Sequence, residues 1–383
     1  MWFLNNILFH SMHKILFIAN TSWYIYNFRR SLIKALINNG YQVACAAPVD
    51  SYTEKLISLG AEYINIEYNN SSKNPVKDLL FLYRLIKLMR QLKPSAVLSF
   101  TIKANIYGGI AARLQKTPIV ANVSGLGSPF VEDSILSKLA LLLYKVGLNR
   151  ADKIFFQNSD DYELFAKSNI ITNQESGVLP GSGVDLERFA SSKIRNNNET
   201  IIFLLAARLL KEKGIVEGVE AMRELKKQNK NVKLQLLGQL WHKNPTSVKQ
   251  HELNGWIKEG LVTYLGFVND VRPYIENANV VLLPSFYREG VPRILLEAAS
   301  MSKPIITSDV PGCRETVDNG RTGFLCKARD AHDLMEKMDM MIELTGEERD
   351  IMGKRGREKM KKEFDEKIVI NKYLESINKI VFL

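Results

Sequence analysis

The chain has 383 residues, 46% of them hydrophobic and 24% charged. That is a globular balance at a length suited to two domains, and it excludes disorder, collagen and coiled-coil arrays. The net charge is +11, and residues 1–150 hold 17 Lys and Arg against 7 Asp and Glu, while the remainder holds 35 against 34. A basic first third beside a neutral remainder points to an anionic partner (nucleic acid, anionic lipid or a phosphate-bearing substrate) or else to a merely solvated basic surface. Cys45, Cys313 and Cys326 are few and far apart, so no disulfide framework or metal knuckle is expected and a reducing compartment fits. The five histidines form no HExxH or HxxxH pattern, so no histidine metal site is expected.

Residues 1–13 are apolar and carry no Lys or Arg, which does not fit a signal peptide. The first eleven read as an upstream start or a small hydrophobic tail before the strand Lys14–Asn20. Helix Phe28–Asn38, strand Gln42–Ala47, helix 52–59 and strand Tyr63–Ile66 follow. Residues 76–93 read as a helix with Leu79, Leu82, Tyr83, Ile86 and Met89 on one stripe and Lys77, Arg84, Lys87, Arg90 and Lys93 between them. Next come strand Ala96–Phe100, helix 104–115, strand Pro118–Asn122, the Leu-rich basic helix 134–149, strand Lys153–Gln157 and a helix from Ser159. Each basic helix either packs on a sheet with its lysines solvated or lies in an anionic lipid interface. No stretch of about 18 residues is free of charge, so no spanning helix is expected.

Polar, turn-prone residues at 190–200, including Asn196–Asn198, read as a linker. The alternation then restarts with strands Ile201–Ala206, Val232–Leu237, Val262–Leu265, Val280–Leu283 and Pro304–Thr307, and helices 215–228 and 292–301. Strands alternating with helices predict an α/β chain of parallel sheets. The expected division is an acceptor or membrane-side domain over 1–190, a donor domain over 191–365, and an amphipathic helix over 366–383 that the pattern allows to pack back on the first domain.

Ligands of open parallel sheets bind beyond the carboxyl ends of the strands. Arg208 and Lys213 follow the strand 201–206, and a planar fork with a point charge suits a diphosphate, the alternative being a pair of surface cations. After the strand 280–283 comes Ser285-Phe286-Tyr287-Arg288-Glu289-Gly290-Val291-Pro292-Arg293, with Pro292 placed as the first helical residue. The amides of Gly290, Val291 and Arg293 then open a helix, an anion site. Glu289 and Glu297 are double acceptors suited to sugar hydroxyls. The alternatives are dipole complementation for Glu289 and a helix-surface pair with Arg293 for Glu297. Gly312 and Gly323 read as turn residues.

The segments AARLLKEKG (206–214), LLGQ (236–239), YLGFVNDV (264–271), LLPSFYREGVPRILLEAASMSKPIITSDVPGCRE (282–315) and DNGRTGFL (318–325), with FRRSLIKALINNGYQV (28–43), TIKANIYGGIAARL (101–114), VSGLGSPF (123–130) and LPGSGVDLERF (179–189), resemble family 4 glycosyltransferases of the GT-B type. Such a fold is two Rossmann-like domains facing each other across a cleft. The TIKANIYG and SGLGS pieces resemble the bacterial subgroup that builds lipid-linked oligosaccharides, including N-acetylgalactosamine transferases acting on undecaprenyl-diphosphate sugars.

The resemblance implies that Arg208 and Lys213 hold the donor diphosphate, that Glu297 binds the ribose and that Glu289 contacts the donor sugar. Gly290, Val291 and Arg293 would add phosphate contacts, and Gly238, Val268 and Asn269 would frame the base. It implies a retaining transferase that uses a UDP-sugar and needs no metal or other cofactor. A lipid-linked saccharide would be the acceptor, and the protein would be cytoplasmic, on the inner face of the membrane. Asn20-Thr21-Ser22 stands where many relatives have glycines, and Ser124 stands near a family histidine. Lys103 and Ser124 are the acceptor-side candidates. Two rivals remain at this point: a UDP-sugar 2-epimerase on the same fold, and a basic binding module. The aromatic residues near the basic clusters (Phe81, Tyr83, Tyr144) sit on apolar helical faces and form no stacking platform, so no nucleic-acid partner is expected.

Overall fold

The computed structural model describes residues 13–67, 74–127, 130, 135–191, 200–241 and 244–382. These form two units, Met1–Ser182 with Glu366–Leu383, and Gly183–Asp365. The first eleven residues, the Asn196–Asn198 run and His242 lie outside the described residues.

The first unit alternates β1 (Lys14–Ile18), α1 (Ser22–Asn38), β2 (Gln42–Ala47), α2 (Thr53–Ile57), β3 (Glu62–Asn65), α3 (Pro75–Leu92), β4 (Ala96–Phe100), α4 (Ile102–Gln115), β5 (Ile119–Val123), α5 (Ile135–Leu148), β6 (Lys153–Phe156), α6 (Ser159–Lys167) and β7 (Glu175–Val178). The sheet order is β3-β2-β1-β4-β5-β6-β7, and every pairing is parallel. Apolar runs such as KILFI and IVANV suit strands covered on both faces. Ile15 and Phe17 of β1 face α1 and the C-terminal helix Glu366–Phe382. Leu16 and Ile18 face α3, α4 and α5. The chain order reverses between β1 and β4.

α1 starts six residues before the expected Phe28. The Thr21 hydroxyl accepts from Tyr24 N at 3.0 Å, and Trp23 and Tyr24 pack on Phe28, so an aromatic cluster replaces helix propensity in the first turn. The buried face of α3 is Phe81, Leu85 and Met89. Leu79 and Tyr83, expected on one stripe with Met89, are instead 66% and 62% exposed. Helix α5 is inverted in the same sense. It buries Ser137, Ala140 and Gly147 beside Tyr144 and Leu148, while Ile135, Leu136, Leu139, Leu142 and Val146 face outward.

The second unit contains β8 (Ile201–Ala206), α7 (Ile215–Lys227), β9 (Val232–Leu237), α8 (Gln250–Lys258), β10 (Val262–Tyr264), α9 (Arg272–Asn277), β11 (Val280–Leu283), α10 (Arg293–Ser300), β12 (Ile305–Ser308), β13 (Gly323–Cys326), α11 (Ala331–Glu343) and α12 (Gly346–Glu363). Its parallel sheet runs β10-β9-β8-β11-β12-β13 and reverses between β8 and β11. Residues 183–190, expected to close the first domain, belong here. Val184 and Phe189 are in this unit's core, and Arg357 of α12 donates to the Phe189 carbonyl at 3.1 Å.

Candidate active site

The reversal between β8 and β11 opens a crevice at the carboxyl edge of the second sheet, where the loops after those strands diverge. Lys211–Lys213 form one helical turn after β8. The carbonyl of Glu212 accepts from Phe286 N at 2.9 Å and Tyr287 N at 3.1 Å, and from Ser285 Oγ at 3.1 Å. Three donors on one oxygen fix the lysine turn to the loop after β11. Lys213 and Glu289 then meet as an ion pair, their side chains only 11% and 12% exposed. Ser285 Oγ also lies 3.1 Å from Glu289 Oε1, and the Lys213 ammonium sits 4.6 Å from the Tyr287 ring centroid. A charge pair shielded this far from water is strongly coupled and firmly oriented.

Other predicted residues are placed around this pair. Arg208 is exposed, its guanidinium 5.0 Å from the centroid of Trp241 after β9. Gly238 N donates to Gly266 O at 2.8 Å, and Tyr264 Oη donates to Gly238 O at 2.9 Å, so the ends of β9 and β10 are tied together. Gly238 has φ +150°, and a Cβ there would lie 1.8 Å from the Ala207 carbonyl oxygen. Val268 is half-buried against the core, whereas Asn269 is exposed. Gly290 and Val291 are buried. Pro292 is the N-cap, not the first helical residue, so α10 opens at Arg293. Arg293 Nε donates to Glu297 Oε1 at 3.0 Å, both side chains 14% exposed. The helix-surface alternative thus accounts for Glu297 in this state, and a ribose hydroxyl would share or displace that bond.

Beneath the site Cys313 is fully buried. Burial pushes its thiol well above the usual range, and the carboxylate of Glu289 adds to the shift, so it is inert packing. Ser285, Tyr287 and Trp241 were not singled out from the sequence. Serine and aromatics in a loop carry no spacing signal until the strand ends are known.

The acceptor-side candidates belong to the first unit. Lys103 Nζ is bound to Asp78 Oδ1 at 2.5 Å, and Tyr107 Oη reaches Asp78 Oδ2 at 3.1 Å. Burial, then Asp78, pushes the Tyr107 phenol up to about 12. An acceptor phosphate at Lys103 would compete with a shielded carboxylate. Ser124 is half-buried after β5, beside Gly125 and Gly127 at positive φ.

Residues 14–158 match the model of glycosyl transferase 4-like proteins, and residues 187–359 match that of glycosyl transferases group 1. The chain is a family 4 glycosyltransferase. It is 29% identical, over 96% of its length and 99% of the other's, to the N,N'-diacetylbacillosaminyl-diphospho-undecaprenol alpha-1,3-N-acetylgalactosaminyltransferase of Campylobacter jejuni. It is 28% identical, over 67% of its length and 68% of the other's, to the UDP-Gal:alpha-D-GlcNAc-diphosphoundecaprenol alpha-1,3-galactosyltransferase of Escherichia coli. Among solved structures, Anabaena Alr3699/HepE in complex with UDP-glucose superposes with a TM-score of 0.78 at 18% identity, covering 96% of this glycosyltransferase and 99% of that chain. The fold is accordingly GT-B.

Proposed function

We propose that this glycosyltransferase moves N-acetylgalactosamine, or a related hexose, from its UDP-sugar to an undecaprenyl-diphosphate-linked saccharide, with retention of anomeric configuration. The observation that carries the reading is the shielded Lys213–Glu289 pair at the reversal of the second sheet, in a chain matched nearly end to end by a transferase whose name states that acceptor class. Cleavage of the anomeric C–O bond develops charge on the departing diphosphate. Lys213 and Arg208 are the cations at that edge, and no metal ion is needed where they meet this charge. When the diphosphate takes over Lys213, Glu289 is released toward the hydroxyls of the sugar. In EDTA-containing buffer, with a panel of UDP-sugars and an undecaprenyl-diphosphate-linked acceptor, one donor is expected to yield UDP and an extended lipid. A new free UDP-sugar without transfer would instead show an epimerase, and no turnover would overturn the reading.

We also infer that the protein works peripherally on the inner face of the membrane. None of the described helices is long and apolar enough to cross one. Helices α3 and α5 flank α4 on one face of the first sheet and present Val76, Leu79, Leu80, Tyr83, Leu136, Leu139 and Leu142 to solvent. Lys77, Lys87, Arg90, Lys138 and Lys145 stand on the same two helices. Exposed leucines interleaved with lysines complement an anionic bilayer interface. The protein is expected to sediment with phosphatidylglycerol vesicles at low salt, and the Leu139→Ser/Leu142→Ser variant to sediment less. Equal binding to neutral vesicles would remove this role.

A further inference from the structure

The strand order of the first unit also reverses, between β1 and β4. Helices α1 and α4 leave these strands on opposite faces of the sheet, which leaves a crevice beyond the carboxyl ends. Arg29 of α1 lies beneath it and is 2% exposed. Its guanidinium carbon is 4.5 Å from the centroid of Phe100, the last residue of β4, and 5.9 Å from that of Tyr373 in the C-terminal helix. Nε and Nη2 are buried without a hydrogen-bond partner, while Nη1 is not among the sealed atoms. No carboxylate among the described residues pairs with it. Tyr373 is not its counter-ion, because burial pushes that phenol up to about 12 even beside the guanidinium.

The same edge holds two more unsatisfied groups. Ile18 of β1 pairs with Ser99 of β4; Asn20 lies two residues past the end of β1, and Thr101 directly follows β4. Asn20 Oδ1 and Thr101 Oγ1 are both buried without a partner. Thr101 holds φ +76° as the N-cap of α4, yet its side chain caps nothing. A β-branched residue keeps such a conformation only under constraint. The helix dipole of α4 opens at this point.

An unpaired buried guanidinium is among the most costly groups a fold can carry. Stacking on Phe100 offsets part of that cost, and an incoming anion would offset the rest. We propose that Arg29, with Asn20, Thr101 and the start of α4, forms an anion subsite that holds a phosphate of the acceptor's lipid-linked diphosphate. The source of the phosphate rests on the function proposed above; the subsite itself does not. A phosphate there receives the fork of Arg29, the hydroxyl of Thr101 and donors at the opening of α4, while the amide of Asn20 turns its NH2 toward the anion.

The test is a calorimetric titration of the whole chain, saturated with UDP so that the second unit's site is filled. Farnesyl diphosphate is the probe and farnesol the uncharged control. The parent is expected to bind the diphosphate and not the alcohol, and Arg29→Met to bind it about tenfold or more weakly, the loss of one charge-assisted hydrogen-bonding group. Thermal unfolding of Arg29→Met is expected at or above that of the parent, because the substitution removes an uncompensated charge; a purely structural arginine would lower it. Should Arg29→Met fail to fold, Arg29→Lys keeps the charge and loses the fork, and is expected to weaken the diphosphate severalfold. Equal affinity in parent and variant overturns the subsite. Binding of inorganic phosphate that needs Arg29, with no binding of farnesyl diphosphate, assigns the subsite to free phosphate and overturns the lipid source. Failure of the transferase reading is seen separately, as absence of turnover with every UDP-sugar.

Discussion

Lys213→Ala should lower transfer from the UDP-sugar by ~10²–10³-fold, the usual cost of removing one preorganised group that meets developing charge. Its ammonium is the shielded cation at the crevice, held by Glu289 and lying against Tyr287. The loss should fall mainly on kcat/KM and leave vesicle binding unchanged, since Lys213 is in the second unit and the exposed leucines are in the first. Removing the lysine also strands Glu289 without its counter-charge, so a structural cost is read beside the kinetic one. Lys213→Met combined with Glu289→Gln restores the charge balance and recovers the melting temperature. Turnover that recovers with it, or that never fell in Lys213→Ala, takes Lys213 out of the mechanism.

Gly312→Ala should damage the same site from beneath. Gly312 has φ +84°, and a Cβ there would lie 1.7 Å from the Gly290 carbonyl oxygen and 2.9 Å from that of Glu289. Every obstructing atom is backbone, so no side chain can swing aside. The left-handed conformation alone costs an L-residue about 1–2 kcal/mol. The steric term must be relieved by moving the 289–290 loop. A displacement of about 1 Å at a reacting group costs on the order of 10²-fold in rate. The expected result is a fall in melting temperature together with a loss of turnover larger than the destabilisation explains at 25 °C. Activity and melting temperature both equal to the parent's would show that the turn and the site are uncoupled.

Much of the architecture could be read from residue patterns because parallel strands buried on both faces are continuous apolar runs. KILFI, AVLSF, IIFLLA and VVLL are of this kind. The edge strand β7, Glu-Ser-Gly-Val, is exposed at both ends and half-buried between them and has no such run, so the sequence does not mark it. Helices α8, α9, α11 and α12 and strand β13 are not legible either: Gly323, which reads as a turn residue, opens β13, and α12 is so polar that its buried face is Met352, Gly353, Gly356 and Met360. The stripe on α3 was misread because Leu79 and Tyr83 fit a helical period yet face outward. Lys213 and Glu289 were legible, since both follow strands and carry charge. Arg29 was not, because an arginine inside an amphipathic helix reads as solvated. Only the third dimension shows Phe100 and Tyr373 beside it. The partners of Glu297 and Lys103 had the same limit: spacing offered Arg293 for one as an alternative, and nothing pointed to Asp78 for the other.

The C-terminal helix places Tyr373 in the core of the first unit, where Asn122 donates to its phenol at 2.7 Å, although the whole second unit intervenes in the chain. The last wall of the first unit is therefore supplied by the last residues of the chain to be made. A premature stop near codon 366 would spare every residue of the second unit and remove a wall of the unit that holds Arg29, so on the function proposed above late nonsense alleles should yield a protein that keeps UDP binding yet extends no lipid.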